Sequence, residues 1–184
     1  MPLFNFSNKN KNLIFEIYQN IVERSRSKFF YLNLKIEDNF ESRFDLIVLH
    51  SFIIFYYYKQ TKKDKSHLAQ SLFDHMFSDF ENNLREMGFG DIAVNKKMKV
   101  FISAFYGRVS IYSQGIDAVS NLSDDTMIIT AIQNNLYKGR NIDDQCKKFF
   151  VKYILENINN LKLYSEEENL KKRFKLLDLP YEVS

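Results

Sequence analysis

The chain has 184 residues, 45% of them hydrophobic, and its 26 basic and 23 acidic side chains give a formal net charge of +3. With 18 Phe and 11 Tyr it is too rich in aromatic residues for a disordered chain, and its charge is too balanced for a dedicated nucleic-acid binder. The scarcity of turn residues, five Gly and two Pro, disfavours an all-β fold, and the single cysteine, Cys146, excludes an internal disulfide and a thiolate zinc site.

Apolar residues recur at helical spacing along most of the chain, with polar caps between the stretches. We therefore predict an all-α fold, a single-domain helical bundle of about seven helices over residues 1–184. In chain order, the predicted helices run from about Lys11 to Arg24, from Asp38 to Gln60, from Ser66 to Met87, from Asp91 past Ile116, from Ser123 to Tyr137, from Asn141 to Asn157, and from the Ser165–Glu168 capping box to a point before Pro180.

The second predicted helix contains the longest uncharged apolar run, the 13 residues from Leu46 to Tyr58. A membrane-spanning helix needs about 20 such residues, so this run predicts a buried central helix instead. Residues 1–27 lack a basic start followed by an apolar run, and the acidic residues Glu16 and Glu23 are not typical of a transit peptide. The sequence therefore predicts a cytoplasmic protein.

No residue pattern typical of catalysis or metal binding is present. His50 lies inside the apolar run and is interpreted as a core histidine, His67 follows a helix cap, and His75 lacks an HxxxH or HExxH spacing. A GxSxG elbow and the glycine-rich phosphate loops are missing as well. We predict no catalytic residue, no metal site and no cofactor, and hence a protein that is not an enzyme.

The segment from Leu84 to Lys99 turns one amphipathic helix directly into the next. The charges of this segment have two interpretations. They either stabilise an antiparallel helical hairpin, by roughly a few tenths of a kcal/mol for each exposed pair, or form a two-sided binding surface near the turn. The residues concerned are Asp74, Asp79, Glu81 and Glu86 on the earlier helix and Lys96, Lys97 and Lys99 on the later one.

A second segment, Ala104–Arg108, lies in the middle of the long fourth helix. Phe105 belongs to the apolar stripe of that helix, while Tyr106 and Arg108 point to other faces. Gly107 costs about 1 kcal/mol relative to Ala in a helix. We therefore expect Gly107 to be required by the close approach of another backbone, from a neighbouring helix or from another protein.

Three segments together resemble the ubiquinol–cytochrome c chaperone family, most closely its bacterial branch. They are Arg43–His50, then Leu84–Gly88 with Gly90, Asp91, Val94 and Lys96, then Ala104–Arg108 with Tyr112, in the family's order and spacing. The resemblance covers about Leu32 to Tyr137, so residues 32–137 are the family-like core and residues 138–184 the C-terminal helices. The chain departs from the family pattern at Asn134, where an arginine is expected.

The resemblance implies a non-catalytic assembly chaperone that binds newly made cytochrome b and supports the biogenesis of ubiquinol–cytochrome c reductase, complex III of the respiratory chain. It also implies a small partner subunit, the ribosome and peripheral contact with the inner membrane, and no specific nucleic acid. Such a protein needs an adaptable aromatic patch rimmed by charge. The candidate partner-binding residues are Tyr56, Tyr57, Tyr58 and Phe89 for the patch, with Arg85, Glu86, Asp91, Lys96, Lys97, Tyr106 and Arg108 around it.

Two alternative functions stay open. A ribosome- or RNA-associated binding module would use the basic residues Lys59, Lys62, Lys63, Lys65, Lys171, Lys172, Arg173 and Lys175. Salt would weaken such binding steeply. A lipid or quinone carrier would use the aromatic interior, and it needs a conspicuous apolar pocket with convergent polar groups.

Overall fold

The computed structural model describes residues 3–61 and 66–180, with side chains for residues 11–61 and 67–180. These parts of the chain form helices and irregular segments, with no strand. The helices are α1 (Leu3–Ser25), α2 (Lys28–Leu32), α3 (Phe40–Gln60), α4 (Ser66–Glu86), α5 (Asp91–Leu122), α6 (Thr126–Leu136), α7 (Asp144–Leu163) and α8 (Glu166–Lys171). The all-α fold class is therefore confirmed, and the short α2 is a helix that the sequence did not predict.

Helix ends differ from the predicted bounds where another polar side chain provides the cap. Asn39, not Asp38, caps α3, and Asp143 caps α7. The Ser165–Glu168 capping box of α8 is confirmed, but α8 ends at Lys171, well before Pro180. Ends of this kind depend on which of several neighbouring polar residues reaches a free amide, and periodicity does not determine that.

The junction of α5 and α6 is also shifted from its predicted position. Ser123, expected to cap α6, instead ends α5 in the left-handed region with φ 55°. Its amide donates to the Val119 carbonyl oxygen at 3.1 Å. Asp125 is then the residue that precedes α6.

Helix α3 lies at the centre of the bundle and contacts α1, α4, α5, α6 and α7. Its side chains from Phe44 to Ile54 are buried on every face, so the prediction of a buried central helix is confirmed. In the described parts of the chain, no helix combines the length and the apolar character needed to cross a membrane.

Helix α5 is 32 residues long and turns one apolar face toward the core. Phe105, Tyr112 and Ile116 on this face are buried, as the apolar stripe predicted. Helical spacing in the sequence also predicts an apolar stripe on α4, formed by Ala69, Leu72, Phe73, Met76, Phe77, Phe80, Leu84 and Met87. Its residues from Leu72 to Leu84 are buried or partly buried, but the last one, Met87, is 57% exposed. Met87 follows the end of α4, where the chain turns, and it therefore has no neighbouring helix to pack against.

Gly115 marks a very close approach between α5 and α6. A Cβ atom at Gly115 would lie 2.8 Å from Cβ of Ile128 and 2.9 Å from its Cα and N, closer than side chains normally come. A Cβ at Gly107 would meet no described atom within 4 Å. The expectation that a neighbouring helix of this chain approaches Gly107 is therefore wrong, and the close approach lies at Gly115.

His50 is fully buried in α3 and links three helices. Ser25 Oγ donates to the Ile21 carbonyl oxygen at 2.8 Å, so the Nδ1–H of His50 donates to Ser25 Oγ, also at 2.8 Å. The Nε2 atom then accepts from the Tyr153 hydroxyl at 3.1 Å. Burial lowers the pKa of His50 to about 3, so the ring is neutral. The interpretation of His50 as a core histidine is confirmed.

Candidate interaction surface

Arg108, one of the candidate binding residues, is used inside the fold. Its Nη2 atom lies 2.7 Å from Oδ1 of Asp45, and Nζ of Lys138 lies 2.5 Å from Oδ2 of the same carboxylate. Asp45 is 1% exposed, and burial raises its pKa while the two cations oppose that shift. We call Asp45, Arg108 and Lys138 the charged core. The charged core joins α3, α5 and the residues that follow α6. Both cations stabilise this junction, because a buried carboxylate without a partner costs free energy of folding.

The expected aromatic patch at Tyr56, Tyr57 and Tyr58 is not a surface feature. Tyr56 is 3% and Tyr57 4% exposed, and Tyr58 is half-buried against Phe174. The Tyr56 hydroxyl donates to Asp117 at 2.6 Å, and burial together with this bond raises the pKa of Tyr56 to about 12. The expectation of an exposed patch is therefore wrong, because the irregular segment after α8 covers this end of α3.

The turn between α4 and α5 brings six candidate residues together, and we call residues 85–97 the hairpin tip. Gly88 adopts φ +88°, and the amide of Phe89 donates to the Leu84 carbonyl oxygen at 3.1 Å, which ends α4. Arg85 then braces the turn, with Nη1 2.5 Å from Oδ1 of Asp91. The candidate residues at the hairpin tip are Arg85, Glu86, Phe89, Asp91, Lys96 and Lys97.

The lysines at the start of α5 do not pair with the acidic side of α4. Within the described residues, Lys96, Lys97 and Lys99 form no ion pair, and the Lys97 ammonium lies 4.7 Å from the centroid of the Phe89 ring. Asp79 of α4 instead accepts from the Tyr18 hydroxyl at 2.8 Å. The expected pairing of these lysines with the acidic side of α4 is therefore wrong, while Arg85 and Asp91 do pair across the turn, and the second interpretation, a binding surface, stays a prediction.

Apolar side chains are exposed along the same side of the molecule. Ile92 is 88% exposed at the hairpin tip, and Val100 and Tyr106 are 60% and 58% exposed further along α5. We call Val100, Ser103, Tyr106 and Gly107 the α5 face, since all four are exposed. Exposed apolar side chains grouped in this way mark interaction surfaces.

The α5 face combines an aromatic anchor with open backbone. The Tyr106 ring lies 5.6 Å from the Phe73 ring, so it is held in place while more than half of its surface stays exposed. Beside it, Gly107 leaves space that another backbone could enter. Sequence reasoning identified Tyr106 as a candidate but missed the exposed residues Met87, Ile92 and Val100. The exposure of Ile92 and Val100 could have been predicted, because both lie off the inward stripe of α5.

The thiol of Cys146 is buried and neutral. Tyr137 donates its hydroxyl hydrogen to the Leu34 carbonyl oxygen at 2.8 Å, so it accepts from the Cys146 thiol, whose Sγ lies 3.1 Å away. Burial raises the pKa of Cys146, which disfavours a reactive thiolate. Within the described ranges, no three His, Cys, Asp or Glu side chains are grouped so that they could hold a metal ion.

A cavity of about 510 Å³ opens beside this thiol, between the α2–α3 connection and the start of α7. Phe29 and Phe149 line it together with charged and amide side chains such as Lys35, Arg140 and Gln145. A carrier of lipid or quinone needs an apolar pocket with few polar groups. The mixed lining of this cavity gives the carrier hypothesis no support.

The basic residues of the RNA-binding alternative are partly neutralised. Three of them form ion pairs with carboxylates: Lys59 with Asp117 at 3.2 Å, Lys171 with Glu167 at 2.7 Å, and Arg173 with Glu16. Lys62, Lys63 and Lys65, the basic residues that follow Lys59 in the sequence, lie outside the described residues. An RNA-binding face would need a stripe of uncompensated positive charge, and the described part does not favour one.

Comparison with known proteins extends the match beyond the motifs. The sequence matches the family model described as "Ubiquinol-cytochrome C chaperone" over residues 32–176. A structural relative, described as "Crystal structure of the Cbp3 homolog from Brucella abortus", superposes with a TM-score of 0.79 at 28% sequence identity and covers 97% of both chains.

Two curated relatives are similar over most of this chain. "Protein CBP3, mitochondrial" of Saccharomyces cerevisiae is 31% identical over 156 residues, which are 82% of this chain and 45% of the relative. The human "Ubiquinol-cytochrome c reductase complex assembly factor 1" is 24% identical over 154 residues, 84% of this chain and 50% of the relative. The chain thus spans about half the length of these relatives. The family name and the human relative's name describe a chaperone and an assembly factor, not an enzyme.

Proposed function

Because the chain belongs to the ubiquinol–cytochrome c chaperone family, we propose that it is a non-catalytic assembly chaperone of ubiquinol–cytochrome c reductase (complex III) that binds newly made cytochrome b. The family match over residues 32–176 is the observation that carries this proposal. The name of the human relative, an assembly factor of the same complex, supports it. A small partner subunit and the ribosome are further expected partners, and the cytoplasm is the expected location.

The α5 face is the surface that we assign to cytochrome b. An unassembled membrane protein presents apolar helices, and a chaperone that holds one needs exposed apolar contacts that its own fold does not use. Val100 and Tyr106 meet this requirement, while Gly107 allows a partner helix to come close. Small residues permit such close helix–helix contact.

Deletion of the gene tests the function. We expect the deletion strain to lose complex III and cytochrome b while other respiratory complexes are spared, as measured by native electrophoresis and by the cytochrome b absorbance of isolated membranes. Normal cytochrome b in that strain would contradict the proposal. A pull-down from membranes of growing cells, analysed by mass spectrometry, identifies the partners.

Substitutions on the α5 face test the surface. Val100→Ser with Tyr106→Ser should fail to restore complex III, whereas Leu122→Ser with Leu163→Ser should restore it. Leu122 and Leu163 are the matched controls because they are 75% and 80% exposed at the far ends of α5 and α7. Equal complementation by both variants would move the cytochrome b site away from the α5 face.

A further inference from the structure

The solvent side of α5 has an uncharged middle. Its exposed side chains there are Val100, Ser103, Tyr106, Gly107, Ser110 and Gln114. Arg108, the charged residue of this stretch, pairs with the buried carboxylate of Asp45. A partner can therefore cover the α5 face without burying an unpaired charge.

Opposite charges lie at the two ends of the α5 face. At one end, Lys99 is exposed and forms no ion pair within the described residues. At the other end, Asp74 of α4 follows Phe73, whose ring lies 5.6 Å from the ring of Tyr106. The Asp74 carboxylate is exposed and accepts from Gln70 Nε2 at 2.7 Å, and it has no ion-pair partner in the described part of the chain.

The remaining charges near Lys99 keep that end positive. Glu81 and Asp91 share the guanidinium of Arg85, with Nη2 2.8 Å from Glu81 and Nη1 2.5 Å from Asp91. The cations of this end are Arg85, Lys96, Lys97 and Lys99, and they outnumber its carboxylates, Glu81, Glu86 and Asp91. The α5 face is therefore basic toward the hairpin tip and acidic toward Asp74.

We propose that the α5 face binds the same face of a second copy of this chain, in an antiparallel two-fold dimer. A two-fold dimer pairs one surface with itself, so the surface must complement itself. In the antiparallel arrangement Lys99 of each copy meets the partner's Asp74, whereas a parallel pair would bring like charges together. Because Lys99 and Tyr106 then lie at the same height, the two-fold axis passes close to Ser103.

The size of the surface suits an exchangeable dimer. From Lys96 to Gln114 the helix rises about 27 Å, and α4 beside α5 is about 20 Å wide, so the pair would bury about 1,100 Å² in total. A specific interface needs about 1,000 Å², and obligate dimers bury about 2,000 Å² or more. The second copy would thus cap the apolar surface and yield it to cytochrome b. This competition rests on the proposed function, whereas the dimer itself does not.

Sedimentation velocity of the purified full chain tests the dimer. We expect a reversible monomer–dimer equilibrium at about 10–100 µM protein. Lys99→Glu and Asp74→Lys should each weaken dimerisation at least about tenfold, because each change places like charges together at both ends of the interface. Lys148→Glu and Lys162→Glu change exposed lysines of α7 and should dimerise like the wild type.

An equal mixture of the two interface variants separates lost contacts from lost folding. In a dimer of one Lys99→Glu copy and one Asp74→Lys copy, both ends again pair opposite charges. The mixture should therefore dimerise nearly as well as the wild type, although each variant alone stays monomeric. A misfolded variant could not restore association in this way.

Cysteine crosslinking tests the direction of the pairing. Ser103→Cys should form an intermolecular disulfide under mild oxidation, because both copies of this position lie near the axis. Ser110→Cys is the matched control on the same side of α5 and should stay uncrosslinked, since its two copies lie about 20 Å apart. The wild type should not crosslink, because Cys146 is buried.

Three outcomes would overturn the dimer. They are a monomer at every concentration, a mixture that does not restore association, and equal crosslinking of Ser103→Cys and Ser110→Cys. In cells, deletion of the cytochrome b gene should raise the crosslinked fraction of Ser103→Cys several-fold, and an unchanged fraction would refute the competition. None of these outcomes alters the expected loss of complex III on deletion of this gene, so the two proposals fail separately.

Discussion

Asp45 and Arg108 of the charged core and most of the hairpin tip come from segments that resemble the family motifs, yet the two regions use their charges in opposite ways. In the charged core, Arg108 and Lys138 converge on one buried carboxylate, and the charges stabilise the packing of helices. At the hairpin tip, Lys96 and Lys97 lie on the surface without an ion-pair partner in the described chain. The difference teaches that residue type alone does not show whether a charged motif residue serves folding or binding. What distinguishes the two roles is whether an oppositely charged partner lies on another helix.

Removal of the carboxylate from the charged core has the largest expected effect. In Asp45→Ala, Arg108 loses its partner while it is only 19% exposed, whereas Lys138 can turn toward water. We expect the free energy of unfolding, measured in urea, to fall by about 3 kcal/mol. Asp91→Ala removes an exposed carboxylate at the tip and should cost less than about 1 kcal/mol. Equal losses in the two variants would abolish the contrast between the regions.

Acid provides a second way to destabilise the core without affecting the tip. The folded protein keeps His50 neutral because its pKa is lowered to about 3, while the unfolded chain takes up a proton below the usual histidine value, about 6.5. Stability contributed by His50 is therefore present above pH 6.5 and lost as pH falls. Between pH 7 and pH 5 we expect the wild type to lose about 2 kcal/mol more than His50→Gln does. Parallel pH profiles of the two proteins would exclude this role.

Two glycines of α5 sharpen the comparison within one helix. Gly115→Ala should lower the free energy of unfolding by about 1–3 kcal/mol, because its Cβ would collide with the backbone of Ile128. Gly107→Ala places its Cβ in open space and should raise the free energy of unfolding by about 0.5–1 kcal/mol. Thermal melts and urea curves measure both. If Gly107→Ala stabilises the protein and yet reduces complex III in the complemented strain, a partner approaches at Gly107.

Charge reversal at the hairpin tip should have the smallest effect on stability. Lys96→Glu with Lys97→Glu breaks no ion pair of the described chain, so the free energy of unfolding should stay within about 0.5 kcal/mol of the wild type. Complementation should nevertheless fail, whereas Lys148→Glu with Lys162→Glu should complement. An unfolded double variant of the tip would instead assign Lys96 and Lys97 to the fold.

Much of the fold follows from local pattern. Helical periodicity identified the inward face of α5 and the burial of α3, because apolar residues at 3.6-residue spacing require a core to cover them. The same pattern misplaced Met87, since periodicity does not show where a helix loses its neighbour. The tyrosines at the end of α3 were misjudged for a related reason: an amphipathic ring suits a surface or a core, and the segment that covers it lies more than a hundred residues away in the sequence.

The candidate site was only partly predictable. The residues of the tip are adjacent in sequence, so the turn brings Arg85, Asp91 and Lys96 together without long-range information. Arg108 needed such information, because its partner, Asp45, belongs to another helix. Gly107 and Gly115 look alike in the sequence, and only the position of α6 distinguishes them.

The hydrogen bond that holds Cys146 gives the protein a built-in chemical probe of its own motion. The chain has a single thiol, and Tyr137 with the Leu34 carbonyl keeps it enclosed where α7 meets the α2–α3 connection. Cys146 is only 8% exposed at the edge of the cavity beside α7, so an alkylating reagent labels it more slowly than a free thiol and faster when that junction opens. Native cysteine labelling with and without a bound partner therefore reports whether binding at α5 changes the junction of α7 with the α2–α3 connection, with no engineered residue.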